Sequence, residues 1–541
     1  MKTIYFISIC LLFTSCYKGK NADLIIFNAK IHTIDAGDRV AQAMAIKDGK
    51  ILEVGPDRQI MNKYAASESI DGEGKDIYPG FTDAHGHILS LVKQRLSANL
   101  VESASLNEVL VRMEKYAAKN EGEFVVGNGW DQSLWGEKEL PDNKLLSELF
   151  PNRAVALFRI DGHAVLVNDY FLKKVGINPE TKIAGGMIVL KEGKCTGLLV
   201  DNAMNQIVNT IPDYSEKQKM EAISEIQEEL LQYGITAVHE AGIDFKDISL
   251  FKKMIDNKSF HIELYAMLMP TKENFKFVEK NGIYKYKNLS IRSFKVFADG
   301  ALGSRGACLK HAYSDMDNHF GMLTTTMEEI NRIAEFCHKH QYQMNTHAIG
   351  DSTNKIIIDV LEKEAEVNPG HRWRIEHAQV LDLSDISRIQ ASGAIPSVQP
   401  THAVSDMRWV EDRIGKERMK GAYAYKTLLA QAGMIAIGTD FPIEQFNPFL
   451  TIHAAVQRKN KDDIPGGGFE NSEAISFSEC IRGMTIWASL ASFEENRMGS
   501  LEEGKDATFA IFEIPVKSTG AFQENFAKMT FIKGKKVYSA E

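Results

Sequence analysis

Between Ser215 and Ile437 helical and extended patterns alternate several times over, and few folds accept such a chain. Ser215-Glu-Lys-Gln218 reads as a capping box, a helix start whose Ser and Gln side chains satisfy free backbone donors. Met220, Ile223, Ile226 and Leu230 then recur on one helical face, and Gly234 supplies the stop before the strand Ile235-Thr-Ala-Val238. Thr326-Met-Glu-Glu329 predicts a second capping box. Ile330, Ile333 and Cys337 lie behind it, and a strand runs from Tyr342 to Thr346. Ile356, Val360 and Leu361 mark another helix, followed by the strand Trp373-Arg-Ile375. A helix near Ile386 leads to a strand from Ile395 to Val398, and a helix near Leu428 leads to one from Met434 to Ile437. Repeated units of this length argue for a parallel sheet with helical crossovers.

Polar residues recur where these apolar strands give way to loops. Lys295 lies in Phe294-Lys-Val-Phe-Ala-Asp-Gly300. His347 ends Met344-Asn-Thr-His347, His377 ends Arg374-Ile-Glu-His377, and Asp440 ends Ile437-Gly-Thr-Asp440. In a (β/α)₈ barrel such strand ends converge on the C-terminal face, where active sites sit. Upstream stands Tyr78-Pro-Gly-Phe-Thr-Asp-Ala-His-Gly-His87. On an extended strand residues two apart share a side, so His85 and His87 can face one metal, and Gly86 leaves the backbone open between them. Singly, His347 or His377 is more often a satisfied half-buried histidine, Asp440 a helix cap and Lys295 a snorkelling surface residue. All four in series behind an H-x-H pair are hard to explain that way. Imidazole and carboxylate suit zinc and similar divalent ions.

The two chain ends read differently from the middle. Leu24-Ile-Ile-Phe27, Met44-Ala-Ile46 and Ile51-Leu-Glu-Val54 look like strands, and Asp48-Gly49 is a strong hairpin signal. Residues 507–512, 529–532 and 537–538 repeat the style around a Lys533-Gly534 turn. Residues 22–78 and 497–541 are therefore expected to join into one β-sandwich domain, beside a barrel over 79–496. Between about 95 and 215 the αβ rhythm breaks, and Gly127, Gly129, Trp130, Trp135, Gly185 and Gly186 crowd strands and loops. This is expected to be an insertion after the first barrel strand, of the kind that forms lids or pocket walls.

The first sixteen residues read as an address. Lys2, an apolar run from Ile4 to Phe13 and then Thr14-Ser-Cys16 make a secretory signal, too short to span a bilayer. Cysteine after small residues resembles a bacterial lipobox. That resemblance implies cleavage before Cys16, lipidation of Cys16, export and anchoring to a bacterial membrane, on the periplasmic or the surface side. Cys195, Cys308, Cys337 and Cys480 are far apart, form no zinc motif and read as free thiols. The net charge of −9 is spread along the chain, without the basic footprint of a nucleic-acid binder.

Taken together, these phrases resemble the amidohydrolase superfamily, and within it the amidohydrolase-3 branch of YtcJ-like proteins, which includes an N-substituted formamide deformylase. The matching stretches are residues 79–87, Lys295-Val-Phe-Ala-Asp-Gly-Ala-Leu-Gly-Ser-Arg-Gly-Ala307, Thr346-His-Ala-Ile-Gly-Asp351, Arg374-Ile-Glu-His-Ala-Gln379, Gly438-Thr-Asp-Phe-Pro442 and Gly499-Ser-Leu-Glu-Glu-Gly-Lys-Asp506. The resemblance covers nearly everything after the signal. It implies two divalent ions, with zinc the expected one. His85 and His87 would hold the more buried ion, His347 and His377 the second, and a carboxylated Lys295 would bridge both. Asp440 would touch the buried ion and a bridging hydroxide and act as general base. An unmodified Lys295 would allow a single metal instead.

Asp161-Gly-His-Ala164 is similar to the branch's D-G-H phrase. His163 would hold the substrate or a developing oxyanion, or make a structural hydrogen bond. Trp130 and Asp131 are candidates for the pocket lining, although a core tryptophan is the stronger reading of Trp130. Arg305 would orient an anion or pair with Asp299, and His239 faces the same rim. The function expected is hydrolysis of a non-peptide C–N bond in a small amide, N-acyl or N-formyl compound. A one-metal deaminase and a retired, binding-only lipoprotein are the alternatives. Association of the chain into homo-oligomers is open.

Overall fold

The computed structural model describes residues 19–135, 140–517 and 525–540. The signal and Cys16 lie outside the described residues. Eight parallel strands form a nearly closed barrel: β1 (Phe81–Gly86), β2 (Ile235–Ile243), β3 (Glu263–Leu268), β4 (Leu289–Phe297), β5 (Gln343–Ala348), β6 (Arg374–His377), β7 (Ile395–Val398) and β8 (Ala436–Ile437). Each pairs in parallel with the next, from β1 to β8. The last seam, from β8 back to β1, is closed by fewer bonds. Asp440 N donates to His85 O at 2.7 Å and His87 N to Phe441 O at 2.8 Å. The Asp83 carboxylate reinforces the seam by accepting from Thr439 N and Thr439 Oγ1.

The alternation read from sequence is present because each helix buries one apolar face against these strands. The helix Glu216–Gln232 carries both halves of its capping box and buries Ile223, Ile226 and Leu230. Such a cap contributes about 1 kcal/mol. The second predicted box forms only in part: Thr326 caps Met327–His340 by accepting from Glu329 N, while the Glu329 carboxylate turns to Arg332. An exposed carboxylate beside a guanidinium one turn on has a better partner there than a lone backbone N–H. The helix expected near Ile386 is two short ones, Leu383–Ile386 and Ile389–Ser392.

Both chain ends build a second body. A four-stranded sheet contains Lys20–Phe27, Ala43–Lys47, Lys50–Gly55 and Tyr64–Asp71. A six-stranded sheet joins Lys30–His32, Val40–Ala41 and Asp76–Pro79 to Phe509–Phe512, Ala527–Ile532 and Lys535–Ser539. Leu24, Ile26, Met44 and Ile46 from one sheet share an apolar cluster with Ile31, Ile77, Phe509 and Phe531 from the other. The hairpin turns at Asp48-Gly49 and Lys533-Gly534 hold both central residues at positive φ, as a two-residue hairpin of matching twist requires.

Residues 98–201 contain a six-stranded mixed sheet. Two of its strands, Phe124–Trp130 and Ala154–Arg159, run parallel. They therefore end at the same edge, and the loops leaving them reach the barrel mouth. The four described cysteines are free, with Cys337 and Cys480 buried and Cys195 and Cys308 partly so.

A candidate metal centre at the barrel mouth

A cavity of about 1260 Å³ opens at the C-terminal ends of the barrel strands, walled on one side by the 98–201 insertion. His87, Lys295, His347, His377 and Asp440 line it, and His85 lies fully buried behind them. One ligand atom from each of His85, His377 and Asp440 lies within 4.8 Å of the others. His87 and His347 flank that set. His87 Nε2 is 3.0 Å from Asp440 Oδ1, and the His347 and His377 ring centroids are 4.6 Å apart. The six residues come from β1, β4, β5, β6 and the loops after β1 and β8.

Local backbone explains how they converge. Gly86 has no alternative: a Cβ there would sit 2.2 Å from the Phe441 ring. His377 (φ 72°) and Asp440 (φ 61°) hold left-handed conformations just where strand becomes loop. Such positions cost about 1–3 kcal/mol each outside glycine and gather at functional sites.

Partners outside the set fix the direction of the rings. His85 Nδ1 donates to Glu376 Oε2 at 2.5 Å, which turns its Nε2 lone pair to the centre. His377 Nδ1 donates to Gln399 Oε1 at 2.8 Å and frees its own Nε2 in the same way. Burial pushes His85 down to about 4, and burial likewise takes His347 and His377 well below the ordinary imidazole value. All three are therefore neutral at pH 7, the form in which an imidazole can hold a metal ion. Asp440 is held well below the usual carboxylate range: burial works against its charge, and His85 and His87 overcome it.

Lys295 is fully buried on β4, and its Nζ donates to His85 Nε2 at 2.9 Å. Burial pushes its amine down to about 8, so an appreciable share is neutral near physiological pH. Neutral imidazoles, an ionised carboxylate and a depressed lysine make a donor set that fits divalent ions.

His163 reaches the cavity from the insertion. Its ring lies 5.0 Å from that of His347, and its Nδ1 donates to Asp201 Oδ1 at 2.7 Å. Burial opposes its charge, yet Asp201 and then Asp161 pull its pKa above the ordinary value. Asp131 lines the cavity and pairs with Arg159 at 2.7 Å. Trp130 does not line it: Trp130 is 1% exposed, donates to Leu157 O and packs beside Trp135. Strand alternation turns its side chain into the insertion core. Arg305 does not line the cavity either, and it pairs with Asp315 rather than Asp299. The Asp299 carboxylate is taken by the backbone N–H groups of Cys308, Ile349 and Gly350. His239 is buried beneath the rim, accepting from Arg374 Nη1 at 3.1 Å.

Four residues that contact the candidate site were not read from sequence. Glu376 and Gln399 orient the rings of His85 and His377. His402, after β7, lines the cavity with its Nε2 3.7 Å from Asp440 Oδ2. Arg159 ties Asp131 and Asp161 together across the two insertion loops. Glu376 stands beside a candidate ligand and Gln399 directly follows barrel strand β7, so position alone was available as a signal for both.

A buried cluster of histidines and carboxylate at the mouth of a (β/α)₈ barrel, flanked by a β-sandwich from both chain ends, defines a metal-dependent hydrolase architecture. The model of the amidohydrolase family matches residues 68–538, and the chain belongs to that family. It is 30% identical to the putative amidohydrolase YtcJ of Bacillus subtilis, over 88% of this chain and 92% of that one. It is 25% identical to an N-substituted formamide deformylase of Arthrobacter pascens, over 95% and 97%. An uncharacterized metal-dependent hydrolase of Pyrococcus horikoshii superposes with a TM-score of 0.75, at 26% identity, covering 92% of this chain and 98% of that one.

Proposed function

We propose that the chain hydrolyses a non-peptide C–N bond in a small amide, N-acyl or N-formyl compound. The convergence of His85, His87, Lys295, His347, His377 and Asp440 on one end of the cavity carries this reading. His85 and His87 would hold an inner ion and His347 and His377 an outer one. Asp440 would contact the inner ion, and a carboxylated Lys295 would bridge the two. Divalent ions held there, zinc being the expected one, bring the pKa of a coordinated water toward about 7 and polarise a carbonyl.

The chain's own side chains supply the rest. The neutral fraction of the Lys295 amine is the form that adds CO₂. Asp440 takes the proton of the attacking water on a carboxylate oxygen and returns it to the departing nitrogen. His163, with Nδ1 donating to Asp201 and its pKa raised by that carboxylate, presents Nε2–H in its protonated form to the oxygen where charge develops. The likeness to a formamide deformylase supports a short acyl group on an amine.

One observation favours a second reading, a one-metal aminohydrolase. The tight three-atom set is His85, His377 and Asp440, without His347. Metal content of the full chain and of Lys295→Ala, with hydrolysis of N-acyl and N-formyl amines, separates the two. Two metals per chain, with the second metal and activity lost together in the variant, support the bridged site. One metal that survives Lys295→Ala, with ammonia released from ring amines, supports the aminohydrolase. No metal in the folded, metal-supplemented chain overturns both. We also propose that residues 1–16 export the chain and that Cys16 anchors it to a membrane, and globomycin-sensitive labelling with a fatty-acid analogue tests this.

A further inference from the structure

The outer side of the barrel carries a surface that the reaction does not use. It is built by two helices, Phe245–Asp256 after β2 and Lys272–Asn281 after β3, and by the short strand Tyr284–Tyr286. That strand pairs antiparallel with the start of β4. Residues two apart on a strand share a side, so Tyr284 and Tyr286 face the same way.

Aromatic rings run in line across these elements. The Phe245 and Phe277 centroids are 5.4 Å apart, and those of Phe277 and Tyr284 are 5.3 Å apart. Lys252 Nζ carries the line onward, 5.6 Å from the Tyr284 ring centre and 4.6 Å from that of Tyr286. The run is open to solvent. Phe245 is 49% exposed and neighbouring Ile283 43%, and Phe277, Tyr284 and Tyr286 are half-buried. Single exposed apolar side chains are ordinary, whereas a contiguous run rimmed by charge marks a surface that meets a partner.

The charge around this run is one-sided. The whole chain has a net charge of −9, yet residues 245–287 hold nine lysines against five acidic residues. One of the five, Glu263, is buried and already taken by Arg497 and Lys533. Lys272, Lys276 and Lys280 recur every fourth residue and so stand along one face of their helix. They and Lys258 are exposed, and among the described residues none of the four has an acidic partner. Glu273 and Glu279, on the same helix, leave the local charge positive.

This composition selects the partner. A surface for nucleic acid would use guanidinium forks and free ring faces. Residues 245–287 contain no arginine, and their rings are spent on one another and on Lys252. Lysine beside half-exposed Phe, Tyr and Ile suits the headgroup level of a bilayer. The apolar side chains enter the acyl boundary there, and the ammonium groups meet anionic headgroups.

We propose that this surface docks the protein on an anionic lipid bilayer, with Phe245 and Ile283 entering the headgroup layer and Lys272, Lys276 and Lys280 over the phosphates. The lipid proposed for Cys16 would tether the chain without choosing which face meets the membrane, and this surface makes that choice. Lys246, the neighbour of Phe245, lines the cavity, so the docked face lies beside the cavity rim.

The test is cosedimentation of the full chain with two kinds of vesicle, phosphatidylcholine alone and phosphatidylcholine with about a third phosphatidylglycerol. The apolar run at the N-terminus meets both alike, so the ratio of the two partition coefficients is the readout. At about 0.1 M salt the anionic vesicles should be preferred by about tenfold or more, and the preference should fade at about 0.5 M. Lys272→Glu with Lys276→Glu and Lys280→Glu should bring the ratio to within about twofold, with thermal melting reporting that the variant is folded. Phe245→Ser with Ile283→Ser should weaken binding to anionic vesicles by about fivefold or more while leaving its salt dependence in place. Equal partition of the wild type between the two vesicles overturns the proposal. So does a triple variant that keeps the preference, or a double variant that binds as well as the wild type.

Discussion

His85 on β1 and Glu376 on β6 meet across the barrel, ring nitrogen to carboxylate, at 2.5 Å with neither side chain exposed. Burial alone would raise Glu376, but the His85 ring and then Arg374 hold it at about 2. The carboxylate is therefore charged near neutral pH and fixes which nitrogen of His85 faces the centre.

Glu376→Gln keeps the shape of the residue and removes that charge. Metal affinity should fall by about 10–100-fold. Competition against a chelator of known affinity checks this. An unchanged metal affinity would show that Glu376 serves packing alone.

His163 and Asp201 form a second oriented pair, at 2.7 Å. If His163 contacts charge that develops during reaction, as proposed, His163→Ala should lower kcat by about 10²–10³-fold, with a smaller change in KM. Asp201→Asn should lower kcat less and leave metal content intact. A His163→Ala enzyme that loses only KM would make the residue a ground-state contact.

Glu240 accepts from Ile88 N and Leu89 N at the start of the helix behind His87, and burial pushes it up to about 8. An acid raised in the folded state is favoured when protonated. Its stabilising contribution is complete below about pH 4.5, its unfolded value, and is lost as pH rises through 8. Melting temperatures of wild type and Glu240→Gln, taken from pH 5 to 9, should diverge, with wild type losing ground as pH rises. Parallel curves would sink the assignment.

Gly86 tests the close approach of β1 to the loop after β8. Gly86→Ala places a methyl 2.2 Å from the Phe441 ring and should cost about 1–3 kcal/mol. Chemical denaturation of the metal-free chain measures it. A loss well under 0.5 kcal/mol would mean that the ring moves aside freely.

Much of the fold was legible because its signals are local. A helical face at Ile223, Ile226 and Leu230, a cap at Ser215 and left-handed pairs at Asp48-Gly49 and Lys533-Gly534 need no distant partner to be recognised. Polar residues at apolar strand ends announced Lys295, His347, His377 and Asp440 for the same reason. Trp130 and Arg305 show the limit of that reasoning. Each sits in a motif that borders the site, but a motif gives nearness along the chain and not the direction of a side chain.

The sequence by itself determined the barrel, the sandwich at its ends and the residue types gathered at the mouth, since periodicity and turn chemistry are properties of short segments. Only the tertiary structure decided which groups orient those residues. His85 and Glu376 are 291 positions apart, and Arg159 meets Asp131 only because two parallel strands end side by side. Such pairings follow from how the elements pack, because a buried charge takes whatever partner the closed barrel brings within reach.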